Sequence, residues 1–386
     1  MKKSFSPRMA LVVMALMAGV LLTGCIPQRI GIRWASLGTL GERQNILLTY
    51  NDFIVVVDPT TGDEVSLLNE EGTPRIDPET NQPRQWQVSL QGAQFFSAPL
   101  QVDDNTLLVA DYNKRLYRVD LRNARVENTT GQEISGQVVA EIIEDDTNIY
   151  LPYYNYDLVA VDSETFDLTW RVDTENGIWS EPLIREGRLY FGSLDHKLYA
   201  VNADDGSVVW TRELGGAITG TPALYNDRLY IGSFDRKVYE LSLDGEILNE
   251  YQADNWIWSE PVIVDDVLYT ADMGGTVYAL NIENGFSEVW KVKATSRGIR
   301  PSPLVTEEFV VVAGRDGHVE WLDRATGTVE FMREVQAEVL SDILLIQPSE
   351  ELEIAQPLVV VSTIDPGKLL VAFRLNDGEP AWVYSR

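Results

Sequence analysis

The sequence predicts an all-β protein, a β-propeller of about eight four-stranded blades. Two observations predict it: long segments recur at a period near forty residues, and each one divides into short apolar stretches separated by turn residues. Gly192–Tyr199 (GSLDHKLY) returns as Gly232–Tyr239 (GSFDRKVY), and Ile178–Pro182 (IWSEP) returns as Ile257–Pro261. Repeats of this length are typical of proteins in which each unit buries its hydrophobic face against a neighbour.

Each repeat is predicted to contain four strands. The first ends near a Ser-x-Pro element, the second is of the Leu-Tyr-x-Gly type (Leu189–Gly192), and the third is of the Leu-Tyr-Ala-Val type (Leu198–Val201). Alternating apolar and polar residues, rich in β-branched and aromatic types, indicate strands rather than helices. The fourth strand carries a tryptophan in several repeats: Trp170, Trp210, Trp290 and Trp382.

Acidic residues recur between the predicted strands. Asp195, Asp235 and Asp316 lie between the second and third strands, and Asp205-Gly206 lies between the third and fourth. Tight hairpins need residues that tolerate positive φ or bond to their own backbone. Their equivalent places in successive repeats therefore favour a turn role over metal ligation.

One segment of the repeat carries a family resemblance. Ala200–Gly206 followed by Trp210 resembles the tryptophan-docking motif of PQQ-like (quinoprotein-type) propellers, Ala-x-Asp-x-x-x-Gly-x-x-x-Trp. Ala160–Trp170 matches it with Phe166 in place of the glycine. The resemblance implies that the tryptophan of one blade packs against the next. Degenerate copies complete eight units, with these residues near the tryptophan position: Ser66, Asn128, Leu248, Phe331 and Trp382.

The N-terminus is predicted to be a lipoprotein signal peptide, residues 1–24. Basic residues precede an apolar run, Met9–Leu22, which is shorter than the roughly 20 residues that span a bilayer. The run ends in Leu22-Thr23-Gly24-Cys25, which resembles a lipobox, and Cys25 is the only cysteine. The resemblance implies diacylglycerol on the Cys25 thiol and an acyl chain such as palmitate on the new amine. Such a residue anchors a protein to a membrane without spanning it.

Three segments follow from this organisation. Residues 25–44 are predicted to be a lipidated tether with a ring-closing strand, in which Ile30–Ala35 pairs with the last blade. Residues 45–386 are predicted to form a single eight-bladed propeller. Two stretches that break the period, about 67–85 and 347–356, are predicted to be loop insertions.

The charge of the chain limits its partners. There are 31 basic against 59 acidic residues, which gives a formal net charge of −28. Such a field repels nucleic acid and anionic lipid surfaces, so a partner with a basic or neutral surface is expected. A hydrophobic content of 45% is ordinary for a folded chain, so the acidic residues are expected on a solvated surface.

No catalytic, cofactor-binding or metal-binding residues are predicted. The PQQ-like resemblance also covers quinoprotein dehydrogenases, which have adjacent cysteines under the cofactor and a metal site; this sequence has one cysteine. The two histidines, His196 and His318, fall in predicted surface turns in different repeats. They cannot form a dependable metal site together.

Aromatic residues before the Ser-x-Pro elements form the one candidate interaction surface. Phe96, Trp179 and Trp258 precede that element in three repeats, and Arg300 lies near the same place in a fourth. In a propeller this position lines the central channel, and aromatic and arginine side chains dominate binding hot spots. The alternative is that these aromatic residues fill the core between blades.

Repeat, length and lipobox together resemble the outer-membrane β-barrel assembly lipoproteins of the BamB family. That resemblance implies a non-enzymatic, monomeric scaffold that binds envelope proteins. It is expected on the periplasmic face of the outer membrane, or on the outer face of the cytoplasmic membrane if the source has only one. A binding module for a sugar or peptide is the alternative, and a quinone-binding dehydrogenase-like protein is a distant third.

The lipid anchor gives a first testable prediction. Cys25→Ser removes the acceptor thiol, so the variant should be exported unanchored or remain as uncleaved precursor. Membrane fractionation and intact mass measure this, with Thr23→Ala, which keeps a small lipobox residue, as the control. Unchanged mass and membrane retention of Cys25→Ser would contradict lipidation.

Overall fold

The computed structural model describes residues 35–41, 43–127, 131–283, 285–349 and 354–386. Within these ranges there are 33 β-strands and one 3-10 helix, Pro366–Lys368. The strands form eight separate sheets, each of four strands in chain order, and one sheet carries a fifth. The predicted all-β propeller of eight four-stranded blades is therefore confirmed.

The strands of the first four blades have the following bounds. Blade 1 contains β1 (Ala35–Leu40), β2 (Asn45–Tyr50), β3 (Phe53–Val57) and β4 (Gln87–Ser89). Blade 2 contains β5 (Leu100–Asp103), β6 (Thr106–Asp111), β7 (Arg115–Asp120), β8 (Arg125–Val126) and β9 (Gln132–Glu133). Blade 3 contains β10 (Ile143–Glu144), β11 (Asn148–Pro152), β12 (Asp157–Asp162) and β13 (Leu168–Asp173). Blade 4 contains β14 (Leu183–Arg185), β15 (Arg188–Gly192), β16 (Lys197–Asn202) and β17 (Val208–Glu213).

The remaining blades repeat the plan. Blade 5 contains β18 (Ala223–Tyr225), β19 (Arg228–Ser233), β20 (Lys237–Ser242) and β21 (Ile247–Gln252). Blade 6 contains β22 (Val262–Val264), β23 (Val267–Ala271), β24 (Thr276–Asn281) and β25 (Ser287–Lys293). Blade 7 contains β26 (Leu304–Val305), β27 (Phe309–Ala313), β28 (His318–Asp323) and β29 (Val329–Glu334). Blade 8 contains β30 (Leu344–Ile346), β31 (Leu358–Ser362), β32 (Leu370–Arg374) and β33 (Pro380–Tyr384).

The hydrophobic core lies between the blades. The second and third strands of a blade are buried on both faces, as in β15 and β16, whereas the fourth strand alternates exposed and covered residues. Tyr190 and Leu198 of blade 4, for example, share one cluster with Leu229 and Tyr239 of blade 5. Each blade therefore depends on its neighbours to cover its apolar faces.

The tryptophan of the fourth strand docks on the following blade. The Trp170 Nε1 donates to the Ala203 carbonyl oxygen at 2.8 Å, and its ring lies against Gly206, whose φ is +69°. A Cβ at Gly206 would lie 2.6 Å from the Trp170 ring, so glycine serves both the close approach and the positive φ. The same contact recurs for Trp210 on Gly245, Trp290 on Gly327 and Trp382 on Gly62.

A β-bulge precedes each docked position. The register between the third and fourth strands shifts by one residue in blades 3 to 8, for instance between Ala200 and Val201 where Ala200 faces Trp210. A bulge bends a strand and redirects its side chains. The repeated bulge therefore places the indole over the neighbouring turn.

Of the residues predicted near the tryptophan position, Asn128 lies outside the described residues and Ser66 is wrong. In blade 1 the docking residue is Trp86, whose Nε1 donates to the Leu121 oxygen at 2.5 Å, and Ser66 lies instead in the insertion. The insertion between β3 and β4, which is held by isolated β-bridges, lengthens the chain before the fourth strand. The tryptophan therefore comes later in the sequence than the repeat spacing predicts. In blade 5 the residue facing the third strand is Asn249, next to Leu248, because the bulge moves the register.

The segment before the ring also differs from expectation. Residues 30–34 and Cys25 lie outside the described residues, whereas Ala35 begins β1, which pairs with β2 of blade 1 and not with the last blade. The described part of the ring therefore includes Ala35–Leu40, ahead of residue 45, where the propeller was predicted to start. Contact with blade 8 comes from side chains, because Ser341 and Ser362 donate hydroxyl hydrogen bonds to the Ala35 oxygen.

Truncating a docked tryptophan tests the role of this contact. Trp290 is 7% exposed, so Trp290→Ala should lower the free energy of unfolding by about 3–5 kcal/mol, the usual cost of removing a large buried aromatic side chain. Chemical denaturation measures the loss, with Trp290→Phe, which keeps a ring, as a milder control. A loss below about 1 kcal/mol for Trp290→Ala would mean that the contact does not hold the blades together.

Candidate functional site

The centre of the ring contains a cavity of about 250 Å³ to which all eight blades contribute. Each contributing segment lies immediately before or within the innermost strand of its blade. In an extended segment, side chains two residues apart point the same way. Trp179 and Glu181 therefore both line the cavity, while Ser180 between them is buried and its Oγ bonds to Gly192.

The four residues of the predicted interaction surface come together at this cavity. Phe96, Trp179, Trp258 and Arg300 all line it, and all four are half-buried. Phe95, by contrast, is 1% exposed and packs in the core between blades 1 and 2. Adjacent residues thus occupy the channel and the core between blades. That Phe96, Trp179, Trp258 and Arg300 bind a partner stays a prediction.

A continuous series of aromatic contacts passes through Phe96, Trp179 and Trp258 of the cavity lining, and we name the residues of this series the aromatic belt. Ring centroids are 5.3 Å apart for Phe96–Tyr112, 6.2 Å for Tyr112–Tyr154 and 5.8 Å for Tyr154–Trp179. The series continues through Trp179–Trp258 at 5.4 Å, Trp258–Phe234 at 5.4 Å and Phe234–Trp256 at 5.2 Å. Trp256 is 41% exposed, so this end of the belt meets solvent.

The sequence analysis missed three members of the belt, Tyr112, Tyr154 and Phe234. Each follows the second strand of its blade, and its backbone N–H donates to the segment that leads into the channel, as in Phe234 to the Ala217 oxygen at 2.9 Å. Tyr112 and Tyr154 make the same bond to the Gln94 and Gln137 oxygens, both at 2.8 Å. The available signal was an aromatic residue at one recurring position after the second strand.

Arg300 lies against the tryptophans of the belt. Its guanidinium carbon is 4.3 Å from the Trp258 ring centroid and 5.9 Å from that of Trp179. These distances are within the range of cation–π attraction. Burial lowers the pKa of Arg300 to about 9, and the nearby Asp342 carboxylate opposes that shift.

Four carboxyl groups line the cavity, and they fall into two pairs. Glu141 accepts the Ala98 N–H at 3.1 Å, and Asp342 accepts the Ser302 N–H at 2.6 Å, so each of these carboxyls ties its blade to the preceding one. Among the described residues, no side chain or backbone group donates a hydrogen bond to Glu181 or Glu260. Glu181 and Glu260 belong to the two Ile-Trp-Ser-Glu-Pro repeats, whereas Glu141 and Asp342 lack the Ser-x-Pro context that would have marked them in the sequence.

The cavity favours the protonated form of these carboxyls. Burial raises the pKa of Glu181 to about 7 and of Glu260 to about 8, and the Asp342 charge adds to both shifts. Burial likewise raises the pKa of Glu141 to about 8. Four acidic groups against one guanidinium leave the site short of positive charge.

The recurring turn aspartates have structural partners. Asp195 accepts the Lys197 N–H at 2.9 Å and the Tyr199 hydroxyl at 2.6 Å, and Asp235 contacts the equivalent groups of the next blade. Over the described ranges, no three His, Cys, Asp or Glu residues are grouped so that they could hold a metal ion. No helix in the described part of the chain is long and apolar enough to cross a membrane.

A closed ring of eight four-stranded blades joined by docked tryptophans defines a PQQ-like β-propeller. The family described as outer membrane protein assembly factor BamB matches residues 128–255, 155–286 and 255–386, more than half of the chain. The chain therefore belongs to the BamB family. A comparison with curated proteins gives no match.

Two solved structures are similar in fold. The crystal structure of BamB from Moraxella catarrhalis has a TM-score of 0.67 and 14% sequence identity, covering 87% of this chain and 95% of that one. The computationally designed Ika8 protein has a TM-score of 0.65 and 15% identity, covering 88% of this chain and 96% of that one. At such identities the likeness concerns the fold alone.

The raised carboxyl pKa values predict how stability depends on pH. A carboxyl whose pKa rises from 4.5 to about 8 on folding keeps its proton in the folded state where the unfolded chain has lost it. Stability is therefore lost as the pH rises from about 4.5 toward 8. Glu260→Gln, which stays neutral, should melt above the parent near pH 9 and like the parent near pH 5.

Melting temperatures across this range measure the effect, with Glu307→Gln in the hairpin between β26 and β27 as an exposed control. Identical pH profiles of the melting temperature for Glu260→Gln and the parent would show that folding does not raise the pKa of Glu260.

Proposed function

We propose that this protein is a non-catalytic interaction scaffold of the cell envelope, held at a membrane by lipid on Cys25 and acting in outer-membrane β-barrel protein assembly. Membership of the BamB family supports a scaffold rather than an enzyme. The observation that carries the proposal is the outer rim of the ring, where unpaired strand edges expose apolar side chains.

The rim consists of the fourth strands of blades 3 to 8, each at the outer edge of its sheet. An edge strand presents unpaired N–H and C=O groups, and exposed apolar side chains beside them invite pairing with another extended chain. Large apolar side chains on five of these strands are strongly exposed: Leu168 63%, Val208 52%, Val289 48%, Met332 50% and Val383 50%.

An unfolded outer-membrane barrel protein fits this rim chemically. Its strands are segments of about ten residues in which apolar and polar residues alternate, so each presents an apolar face together with free backbone groups. Because the ring has six such edges, several segments of one unfolded barrel protein can each pair with a different edge at the same time. The strongly acidic body keeps this apolar rim soluble.

The localisation follows from the same proposal. In a source with two membranes the protein acts on the periplasmic face of the outer membrane. In a source with one it is an anchored scaffold on the outer face of the cytoplasmic membrane, and the role in barrel assembly does not apply. It works as a monomer with envelope proteins as partners, and nucleic acid is not among them. The aromatic belt is the specific observation that favours the second candidate, a binding module for a peptide or sugar.

Charge on the rim tests the scaffold proposal. In the double variant Val208→Lys/Val289→Lys, two edges carry lysines, which discourage strand pairing. The probe is a urea-denatured outer-membrane barrel protein diluted into buffer with the chain, and crosslinking measures capture. We expect capture to weaken about tenfold, while the melting temperature barely changes because both positions are exposed.

The matched control is Leu68→Lys/Ile76→Lys, which adds the same charge at two apolar residues, 47% and 52% exposed, in the blade 1 insertion. Equal capture by the parent and both double variants, or equal loss in both variants, would contradict a role for the rim.

A further inference from the structure

We propose that the axial cavity binds a lysine or arginine side chain presented by an extended polypeptide segment. The cation lies between Glu181 and Glu260 beneath Trp179 and Trp258, and a backbone carbonyl of the same segment accepts the Trp179 indole N–H. This site lies at the ring axis, so it is independent of the outer rim.

The first support is that only two of the four cavity carboxyls accept hydrogen bonds from the described residues. Glu141 and Asp342 accept backbone N–H groups from neighbouring blades, so they already have partners. Glu181 and Glu260 line the same cavity, and the described residues provide neither of them with a hydrogen-bond donor. Both carboxyls are half-buried, and a ligand cation that donates to both would supply the hydrogen bonds that the described residues do not.

The second support is the aromatic wall, which already accommodates a cation. Arg300 lies 4.3 Å from the Trp258 ring centroid, so this wall attracts a guanidinium. The Trp179 and Trp258 rings meet at 5.4 Å with an interplanar angle of 67°, which gives a ligand two differently directed faces. The apolar stem of a lysine or arginine can pack on such rings while its charged end reaches the carboxyls.

The third support distinguishes a polypeptide from a free amine. The Nε1 of Trp179 is buried and has no hydrogen-bond partner among the described residues. An unsatisfied buried donor is unusual, and an indole N–H can be satisfied only by an acceptor. A peptide segment brings carbonyl oxygens, whereas a protonated polyamine has donors only.

The size of the cavity fits one side chain rather than a whole ligand. About 250 Å³ is below the roughly 300–1,000 Å³ of pockets that enclose drug-sized molecules. Tyr154 and Trp256 of the belt are 37% and 41% exposed, so the surroundings of the mouth remain open to solvent. A segment can therefore lie across the belt with a single basic side chain inserted.

The binding experiment uses the full chain in detergent and three probes. The first is an end-blocked nine-residue peptide alternating threonine and lysine, the second is the same peptide with glutamine for lysine, and the third is spermidine. Calorimetry gives the affinities, and tryptophan fluorescence reports contact with the belt. We expect the lysine peptide to bind at least about tenfold more tightly than the glutamine peptide and spermidine.

Two variants locate the site. Glu181→Gln/Glu260→Gln should weaken the lysine peptide about tenfold, whereas Glu307→Gln/Glu308→Gln, which removes two charges from an exposed hairpin, should change it little. The control is needed because a chain of net charge −28 attracts any cationic peptide. Trp179→Phe keeps a ring without the N–H, so it should weaken the peptide and leave spermidine unchanged.

The pH dependence is a further readout. Cation binding favours the ionised carboxyls, so peptide affinity should rise between about pH 6 and pH 8 as Glu181 and Glu260, whose pKa values are about 7 and 8, lose their protons. Glu141, Asp342 and Arg300 are the other charged groups that face the cavity. The Glu181→Gln/Glu260→Gln variant should lose most of this dependence.

Several results would overturn the proposal. Equal weakening in the channel and hairpin variants would show general attraction to an acidic protein. Spermidine binding as tightly as the peptide, with Trp179→Phe without effect, would indicate a free-amine site. Binding of an N-acetylglucosamine oligomer in place of the lysine peptide would indicate a sugar site. Because the rim is intact in all these variants, capture of the denatured barrel protein reports separately on the scaffold function.

Discussion

The docking of a tryptophan on the glycine turn of the next blade is the contact on which the rest of this protein depends. The indole removes a large apolar area from water and donates to a carbonyl, and the glycine leaves room for the ring. Trp170, Trp210 and Trp290 join successive blades in this way. Trp382 repeats the contact with Pro59 and Gly62 of blade 1, so the last blade is joined to the first in the same way as these three pairs.

Closure of the ring in turn creates the cavity. Each blade brings the same position of its inner segment to the axis, so a residue type that recurs in the repeat meets copies of itself there. Glu181 and Glu260, from the two Ile-Trp-Ser-Glu-Pro repeats, are brought together by this symmetry, and so are Trp179 and Trp258. Like charges that would avoid one another on a free surface are thereby held around one space.

The sequence was informative about the packing that repeats between blades. The period, the strand types and the docked tryptophans could be predicted because each blade solves the same packing problem with the same residues. Trp86 and Ala35 could not be placed correctly, because an insertion interrupts the period in blade 1 and its first strand lies before the first recognisable repeat. The belt residues Tyr112 and Phe234 were missed although an aromatic residue recurs at their position, because backbone hydrogen bonds to a segment distant in sequence bring them beside the channel aromatics.

Hydrogen exchange in the Trp382→Ala variant tests most directly whether docked tryptophans make the ring one cooperative unit. The variant removes the contact between blade 8 and blade 1 and leaves every other junction intact. If closure holds the ring together, amide protection should fall in distant inner strands such as β11 and β19 as well as in β33 and β1. Loss confined to β33 and β1, with full protection elsewhere, would contradict that dependence and indicate blades that are stable as an open array.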